Sequence, residues 1–288
     1  MKIGYLGPGK STFGYAAAKK YADGKPHAEL VPHKTHYELC VAVAKKEIDV
    51  ALVPIENSID GVVNENIRII DRLHRTYHVI VCGEVEVPIE LFFLRRADAG
   101  GRPQKLIAQK VAKGQCSNKV AAFLKSHDIL DFTEADSNGA AAEAAKNDPS
   151  VVAVGSFMAV EEYGLVKMEE GSIADREKNY TRFWVLGLKE SKPTRNDKTC
   201  FLLTLDQPVP GGIAKILTPF AEEGFNMLLI APISLEGRTW EYCFLIEFEG
   251  SFGDPRMERA YNAASRCGAS MDGPLRLGSY PSGITVRR

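Results

Sequence analysis

The segment KIGYLGPGKSTFGYAAAKKYA, Lys2 to Ala22, reads as an apolar strand, a glycine turn and a helix. Within it, Gly4 to Ser11 satisfies the pattern G-x-x-x-x-G-K-[ST] of a phosphate-cradling P-loop. A P-loop follows a buried strand and its first glycine opens the turn. Only Met1, Lys2 and Ile3 precede Gly4, so the strand is KIGYLG, Gly4 lies inside it, and the turn begins near Gly7. Nucleotide chemistry also needs an acidic residue at the end of an apolar strand to hold magnesium. DVALVP, VVAVG and VIVCG end in Pro, Gly and Gly, and Glu84 sits inside a longer strand pattern. The nucleotide reading therefore fails on context. The turn remains a candidate anion site, because glycine-rich backbone entering a helix presents N–H groups.

Outward from this unit the alternation continues. Strand-like runs are AELVPH, DVALVP, HVIVCGEVEV, KLIAQ, DFTEA, VVAVG and RFWVLGL. Helical patterns lie between them at THYELCVAVAKKE, GVVNENIRIIDRLH, SNKVAAFLKSH and NGAAAEAAKND. This order predicts an α/β fold with largely parallel sheets and ligands outside the carboxyl ends of strands. ESKPTRNDK, Glu190 to Lys198, is polar and aperiodic and reads as a linker. Beyond it TCFLLTLD, GGIAKILTPFAEEG, NMLLIAPIS, TWEYCFLIEFEG, DPRMERAYNAASRCG and PLRLGSY follow the order β-α-β-β-α-β. Two domains are expected, 1–189 and 199–282.

Composition narrows the function. The 288 residues carry 36 Lys and Arg against 37 Asp and Glu, a net charge of −1, which argues against nucleic-acid or membrane-surface binding. No run approaches the roughly 18 apolar residues of a membrane span. The start shows no secretory h-region, and the cysteines (Cys40, Cys82, Cys116, Cys200, Cys243, Cys267) form no C-x-x-C pair. A cytoplasmic protein with reduced thiols is expected. His74 closes a helical pattern and His78 opens a strand, so they should not share a helix face, and no metal site is expected.

Two further stretches carry polar clusters. Pro54-Ile55-Glu56-Asn57-Ser58 stands just past a strand end, and Asn179, Thr181 and Arg182 stand just ahead of another strand. Taken singly, Asn57 and Ser58 read equally as a turn and helix cap, and Arg182 as a surface ion pair.

Taken in order, the motifs resemble the prephenate dehydratase family over essentially the whole chain. Gly7-Pro8 with Thr12-Phe13 matches its G-P-x-G-T-F turn, lengthened by one residue and carrying Lys10. Pro54 through Ser58 with Gly61 matches P-I-E-N-S-x-x-G, and Asn179, Thr181, Arg182 and Phe183 match N-x-T-R-F. The resemblance implies a two-lobed, periplasmic-binding-protein-like catalytic domain and a ferredoxin-like βαββαβ ACT regulatory domain. Lobe 1 would span about 1–77 plus 176–189, and lobe 2 about 78–175. It implies conversion of prephenate to phenylpyruvate, carbon dioxide and water without a cofactor. Thr181 would donate a proton to the departing hydroxyl. Arg182 would grip a carboxylate as a planar fork, with N–H groups of the Gly7–Thr12 turn and of the helix after Ser58 holding the other charge. Asn57, Ser58, Thr12, Phe183 and Gln115, the one residue left of the family's S-H-P-Q, would contact substrate. Ser137 reads equally as a second-lobe contact and as a helix cap.

The ACT region departs further. Gly211-Gly212-Ile213 replaces G-A-L, and Ala231-Pro232-Ile233-Ser234 replaces E-S-R-P. The effector region implied by the family includes Gly211, Gly212, Asn226 and Leu229. Loss of its Glu and Arg predicts that phenylalanine sensing is weakened, absent or redirected, in a homodimer or homotetramer. Arogenate dehydration and a non-catalytic small-molecule sensor are the alternatives.

Overall fold

The computed structural model describes residues 1–7, 9–176, 178–205, 210–234, 242–266 and 273–283. Pro8 and Cys267, named above, lie outside the described residues. The first part of the chain runs β1 (Lys2–Leu6), α1 (Phe13–Ala22), β2 (Glu29–His33), α2 (His36–Ala44), β3 (Val50–Asn57), β4 (Gly61–Val62), α3 (Asn64–Tyr77) and β5 (Ile80–Pro88). The second runs β6 (Phe92–Arg96), β7 (Lys105–Gln109), α4 (Lys110–Gln115), α5 (Ser117–Ser126), β8 (Asp131–Ala135), α6 (Asn138–Asn147), β9 (Val151–Gly155), α7 (Met158–Tyr163) and β10 (Leu165–Lys167). The chain then returns along β11 (Tyr180–Gly187).

These elements form two sheets, ordered β2-β1-β3-β11-β5 with β4 beside β3, and β10-β6-β9-β7-β8. Gly4 is a strand residue, as its context requires, and a Cβ there would meet the side chains of Ile48 and Leu39. Gly7, at φ 137°, makes the turn against the Thr12 side chain.

Two expectations need correction. The sheets are mixed rather than largely parallel: β1 is parallel to β2 and β3, but β11 is antiparallel to β3 and β5. The cause is connectivity, since the chain leaves the first lobe along β5 and comes back along β11. For the same reason the crossover does not fall at 78. β5 pairs with β11 from Ile80↔Gly187 to Pro88↔Tyr180, so all of it belongs to the first sheet.

The C-terminal unit comprises β12 (Asp197–Thr204), α8 (Gly212–Glu222), β13 (Met227–Ser234), β14 (Tyr242–Glu249), α9 (Pro255–Ser265) and β15 (Leu275–Pro281). Its sheet has the order β13-β14-β12-β15. Asp197 and Lys198, read as linker, are ladder residues paired with Pro281 and Tyr280.

Alternation along the C-terminal strands decides how this unit docks. Phe201, Leu203, Ile246 and Phe248 pack beneath Ile216, Phe220, Met257 and Ala260 of the two helices. Cys200, Leu202, Cys243, Leu245 and Leu277 point the other way and share one core with Ile67, Ile70, Leu73, Val81 and Trp184 of the first lobe. The backbones come close enough that a Cβ on Gly278 would stand 2.1 Å from the Val81 carbonyl oxygen. The C-terminal unit is thus docked on the first sheet through a common core.

Candidate active site

Residues 181 and 182 follow one another in β11, so their side chains leave opposite faces of the sheet. Thr181 is opposite Asn57 of β3, and the ladder between these strands shifts register at Arg182/Phe183. A bulge of this kind re-aims side chains locally.

On the Thr181 face, polar side chains form a string. Asn57 Nδ2 lies 3.0 Å from Thr181 Oγ1, 2.9 Å from Asn179 Oδ1 and 3.1 Å from the Tyr180 carbonyl. Asn57 Oδ1 accepts from the amides of Ile59 at 2.9 Å and Asp60 at 3.1 Å. Because the oxygen is committed to two backbone donors, the amide nitrogen must face Thr181. Asn179 Nδ2 in turn donates to Gln115 Oε1 at 2.9 Å, and Gln115 Nε2 donates to Asp60 Oδ2 at 2.6 Å. Gln115 ends α4 in the second lobe, so the string joins the lobes. Thr181 Oγ1 therefore serves as an acceptor inside the string, and its own O–H has no acceptor among the described residues.

The other named residues divide. Ser58 stitches strand ends: its amide donates to the Tyr180 carbonyl at 2.9 Å, and its hydroxyl accepts from the Tyr180 amide at 3.0 Å. No helix begins at Ser58. The amides of Ile59 and Asp60 are taken by Asn57, and the next helix starts at Asn64. Thr12 is the cap of α1, accepting from Tyr15 N at 3.2 Å and donating to the Leu6 carbonyl at 2.9 Å. Phe183 is a core residue packed with Ile3, Tyr5 and Leu52, so it is withdrawn from any ligand. Ser137 caps α6 through Ala140 N at 3.0 Å. The start of α6 lies close to the first lobe, because a Cβ on Gly139 would stand 3.1 Å from Ser11 Oγ.

The glycine turn does bind a carboxylate, but one belonging to the chain. The Lys10 amide donates to Glu162 Oε1 of α7 at 2.8 Å, and Gly9 leaves room for that carboxylate. The Lys10 residue itself is exposed.

Arg182 is the main correction. It is neither a surface ion pair nor a fork open to ligand, because it is buried among carboxylates. Nε and Nη2 reach Glu56 Oε2 at 3.0 and 2.8 Å, and Nη1 reaches Glu84 Oε2 at 3.1 Å. Glu247 of β14 accepts from Nη1 on Oε1 at 2.8 Å, and its Oε2 lies 2.8 Å from Nη2 as an ion pair. Lys198 Nζ holds the other oxygen of Glu84 at 2.8 Å, and the Tyr280 hydroxyl donates to Glu247 at 2.5 Å. Burial pushes the Arg182 pKa down, but Glu247, Tyr280 and Glu84 outweigh it and hold the group above its ordinary value. Burial pushes Glu247 up, and the Arg182 charge, with hydrogen bonds from Arg182 and Tyr280, brings it below its ordinary value.

The residues of the expected effector region do not converge within the chain. Gly211 and Gly212 begin α8 beyond the Thr204 end of β12, whereas Asn226 immediately precedes β13. Met227 and Thr199 both pair with Phe248, so Asn226 stands at the opposite end of the sheet, with Leu229 one ladder step further in, opposite Glu247. Ile233, where the family has Arg, is buried in the core shared with the first lobe.

Sequence reasoning missed Asp60, Glu162, Glu84 and Glu247 as participants. Glu247 and Glu84 carried a signal, being acidic residues inside the apolar strands YCFLIEFE and IVCGEVEVP.

Comparison with known proteins follows the same outline. The sequence profile described as prephenate dehydratase matches residues 3–191. The bifunctional chorismate mutase/prephenate dehydratase of Aquifex aeolicus is 31% identical over 284 residues, covering 99% of this chain and 74% of that protein. The structure of prephenate dehydratase from Arthrobacter aurescens in complex with L-Phe superposes with a TM-score of 0.83 at 25% identity, over 98% of this chain and 90% of that one. GqqA, described as a quorum quenching acylase, shares the fold with a TM-score of 0.80 at 23% identity, over 100% of both chains. The chain belongs to the prephenate dehydratase family, and prephenate dehydration in phenylalanine biosynthesis is its reaction.

Proposed function

We propose that the string ending at Thr181 performs the decarboxylative dehydration, as a carbon–oxygen lyase. The ring carboxylate leaves as carbon dioxide, its bonding electrons aromatise the ring, and the ring hydroxyl departs as water with a proton drawn through Thr181, whose own proton is replaced from solvent. Aromatisation supplies the driving force, so the site needs a placed proton donor rather than a strong base. An alcohol is a weak acid at neutral pH. The Thr181 hydroxyl therefore acts as a hydrogen bond that strengthens as charge builds on the leaving oxygen. The observation that carries this role is the 3.0 Å contact from Asn57 Nδ2 to Thr181 Oγ1. It directs the Thr181 proton away from the protein and supports charge on Oγ1 as that proton moves. Gln115 and Asn179 orient Asn57 across the two lobes, so lobe closure and donor placement are one event. Incubating the purified protein with prephenate should yield phenylpyruvate, read by its absorbance in alkali, and absence of product would refute the assignment.

The C-terminal unit acts in this reading as an ACT regulatory domain in a cytoplasmic homo-oligomer. The Arthrobacter enzyme binds L-Phe. In this chain Gly211–Gly212 and Asn226 lie at opposite ends of the sheet, so they share a site only across two copies. With Ala231 and Ile233 in place of charged residues, few polar groups remain there to orient a zwitterion. Phenylalanine titration should leave activity nearly unchanged at low concentration. Tight inhibition would contradict weakened sensing.

A further inference from the structure

We infer that Glu247 of the C-terminal sheet is a positioning residue for the reaction at Thr181, acting through Arg182. The inference rests on the proposed role of Thr181.

The face of the C-terminal sheet that meets the first lobe is built from Cys200, Leu202, Ile233, Cys243, Leu245 and Leu277. Glu247 continues this face of β14, where a leucine would pack without desolvating a charge. Its oxygens go elsewhere: Oε1 to Arg182 Nη1 and the Tyr280 hydroxyl, and Oε2 to Arg182 Nη2. Glu84 differs, being held also by Lys198, Ser282 and the Gly283 amide. Glu247 is therefore the buried carboxylate that turns both oxygens to the guanidinium, with Tyr280 as its other partner.

What Arg182 does with that grip reaches the site. Its backbone stands between Thr181 and the register shift at Phe183. Its Nε and Nη2 hold Glu56, the residue before Asn57. One guanidinium thus fastens the immediate neighbours of both Thr181 and Asn57, beside the register shift in the β3–β11 ladder. Thr181 and Asn57 must keep a 3.0 Å separation for the donor to be aimed. An error of about 1 Å in such a placement costs on the order of a hundredfold in rate. The face of the sheet away from the substrate, and a residue from another unit, set that distance. Leu229 of the implied effector region lines the same small cavity of about 220 Å³ as Arg182 and Glu247, so a change in β13 has a direct route to this pair.

The test is a cycle of Glu247→Gln and Thr181→Ala in the full chain, with prephenate turnover and hydrogen exchange at residues 57 and 180–183. Glu247→Gln should lower kcat tenfold or more with KM within twofold, and speed exchange at those amides. In the Thr181→Ala background the same substitution should lower kcat less than twofold, because the group being aimed is gone. Equal losses in both backgrounds, or an unchanged kcat, would overturn the inference. Tyr280→Phe, which removes one hydrogen bond to Glu247 and keeps the ring, should shift kcat the same way by a smaller factor. A wild-type chain that turns over no prephenate would instead defeat the reaction assignment. Unchanged exchange in Glu247→Gln would then still overturn the link.

Discussion

Thr181 and Arg182 are neighbours in sequence and stand on opposite faces of β11. The hydroxyl joins a polar string between the lobes, while the guanidinium joins a buried charge cluster against the C-terminal unit. Two residues that the family resemblance sets in one site therefore serve opposite faces, and substitutions at the two positions should produce different failures.

Arg182→Ala should remove stability before it removes substrate affinity. It strands Glu84 and Glu247 in a buried setting with Lys198 as the remaining cation. Breaking such a pair costs about 3–5 kcal/mol. Urea unfolding should show that loss, whereas a variant of normal stability with a sharply raised KM would restore Arg182 to the substrate.

Asn57→Asp keeps an acceptor for the amides of Ile59 and Asp60 but replaces the donor facing Thr181 with a second acceptor. The new carboxylate would draw the Thr181 proton inward. Turnover should fall by about a hundredfold, the cost of losing one oriented donor. KM should change little, and steady-state kinetics on prephenate will show whether the loss lies in kcat.

Acid should expose the Glu247 contribution. Its folded-state pKa lies below the ordinary 4.5, held there by Arg182 against the opposing effect of burial. A depressed carboxyl contributes stability that is complete above that ordinary value and is lost as pH falls through the folded value. The unfolding free energy of the wild type should therefore drop more steeply below pH 4.5 than that of Glu247→Gln. Lys198, Glu84, Glu56, Tyr280 and Cys200 also face this group, so the comparison is made between variants rather than on absolute slopes. Parallel acid limbs would count against the assignment.

Gly278→Ala should loosen the docked unit. The added Cβ meets the Val81 carbonyl, which belongs to backbone and cannot rotate away. Overpacking of this kind costs about 1–3 kcal/mol. Thermal unfolding should fall accordingly, and an unchanged midpoint would show that the two sheets separate without cost.

Much of this was legible from periodicity. The strand-turn-helix of Lys2–Ala22 and the βαββαβ plan stand where their patterns place them, because each buries one apolar face. The short elements were not legible: α4 and α7 have 6 residues each and β10 has 3, too few to display a period. Thr181, Asn57, Asn179 and Gln115 were all identifiable as residues, but their junction spans 124 positions for Asn57 and Thr181 alone. Only the paired strands bring them together. The orientation of Arg182 was in principle readable, since strand alternation already separates 182 from 181 and 183. Its partner was not, because nothing local marks a carboxylate 65 residues away in another unit.

The central claim is that the Thr181 hydroxyl assists the departing oxygen. Steady-state turnover of prephenate by Thr181→Ala, with Thr181→Ser beside it, measures this most directly. Alanine should cut kcat by about a hundredfold or more with KM nearly constant, and serine should retain most of the rate. Full turnover by the alanine variant would contradict the account.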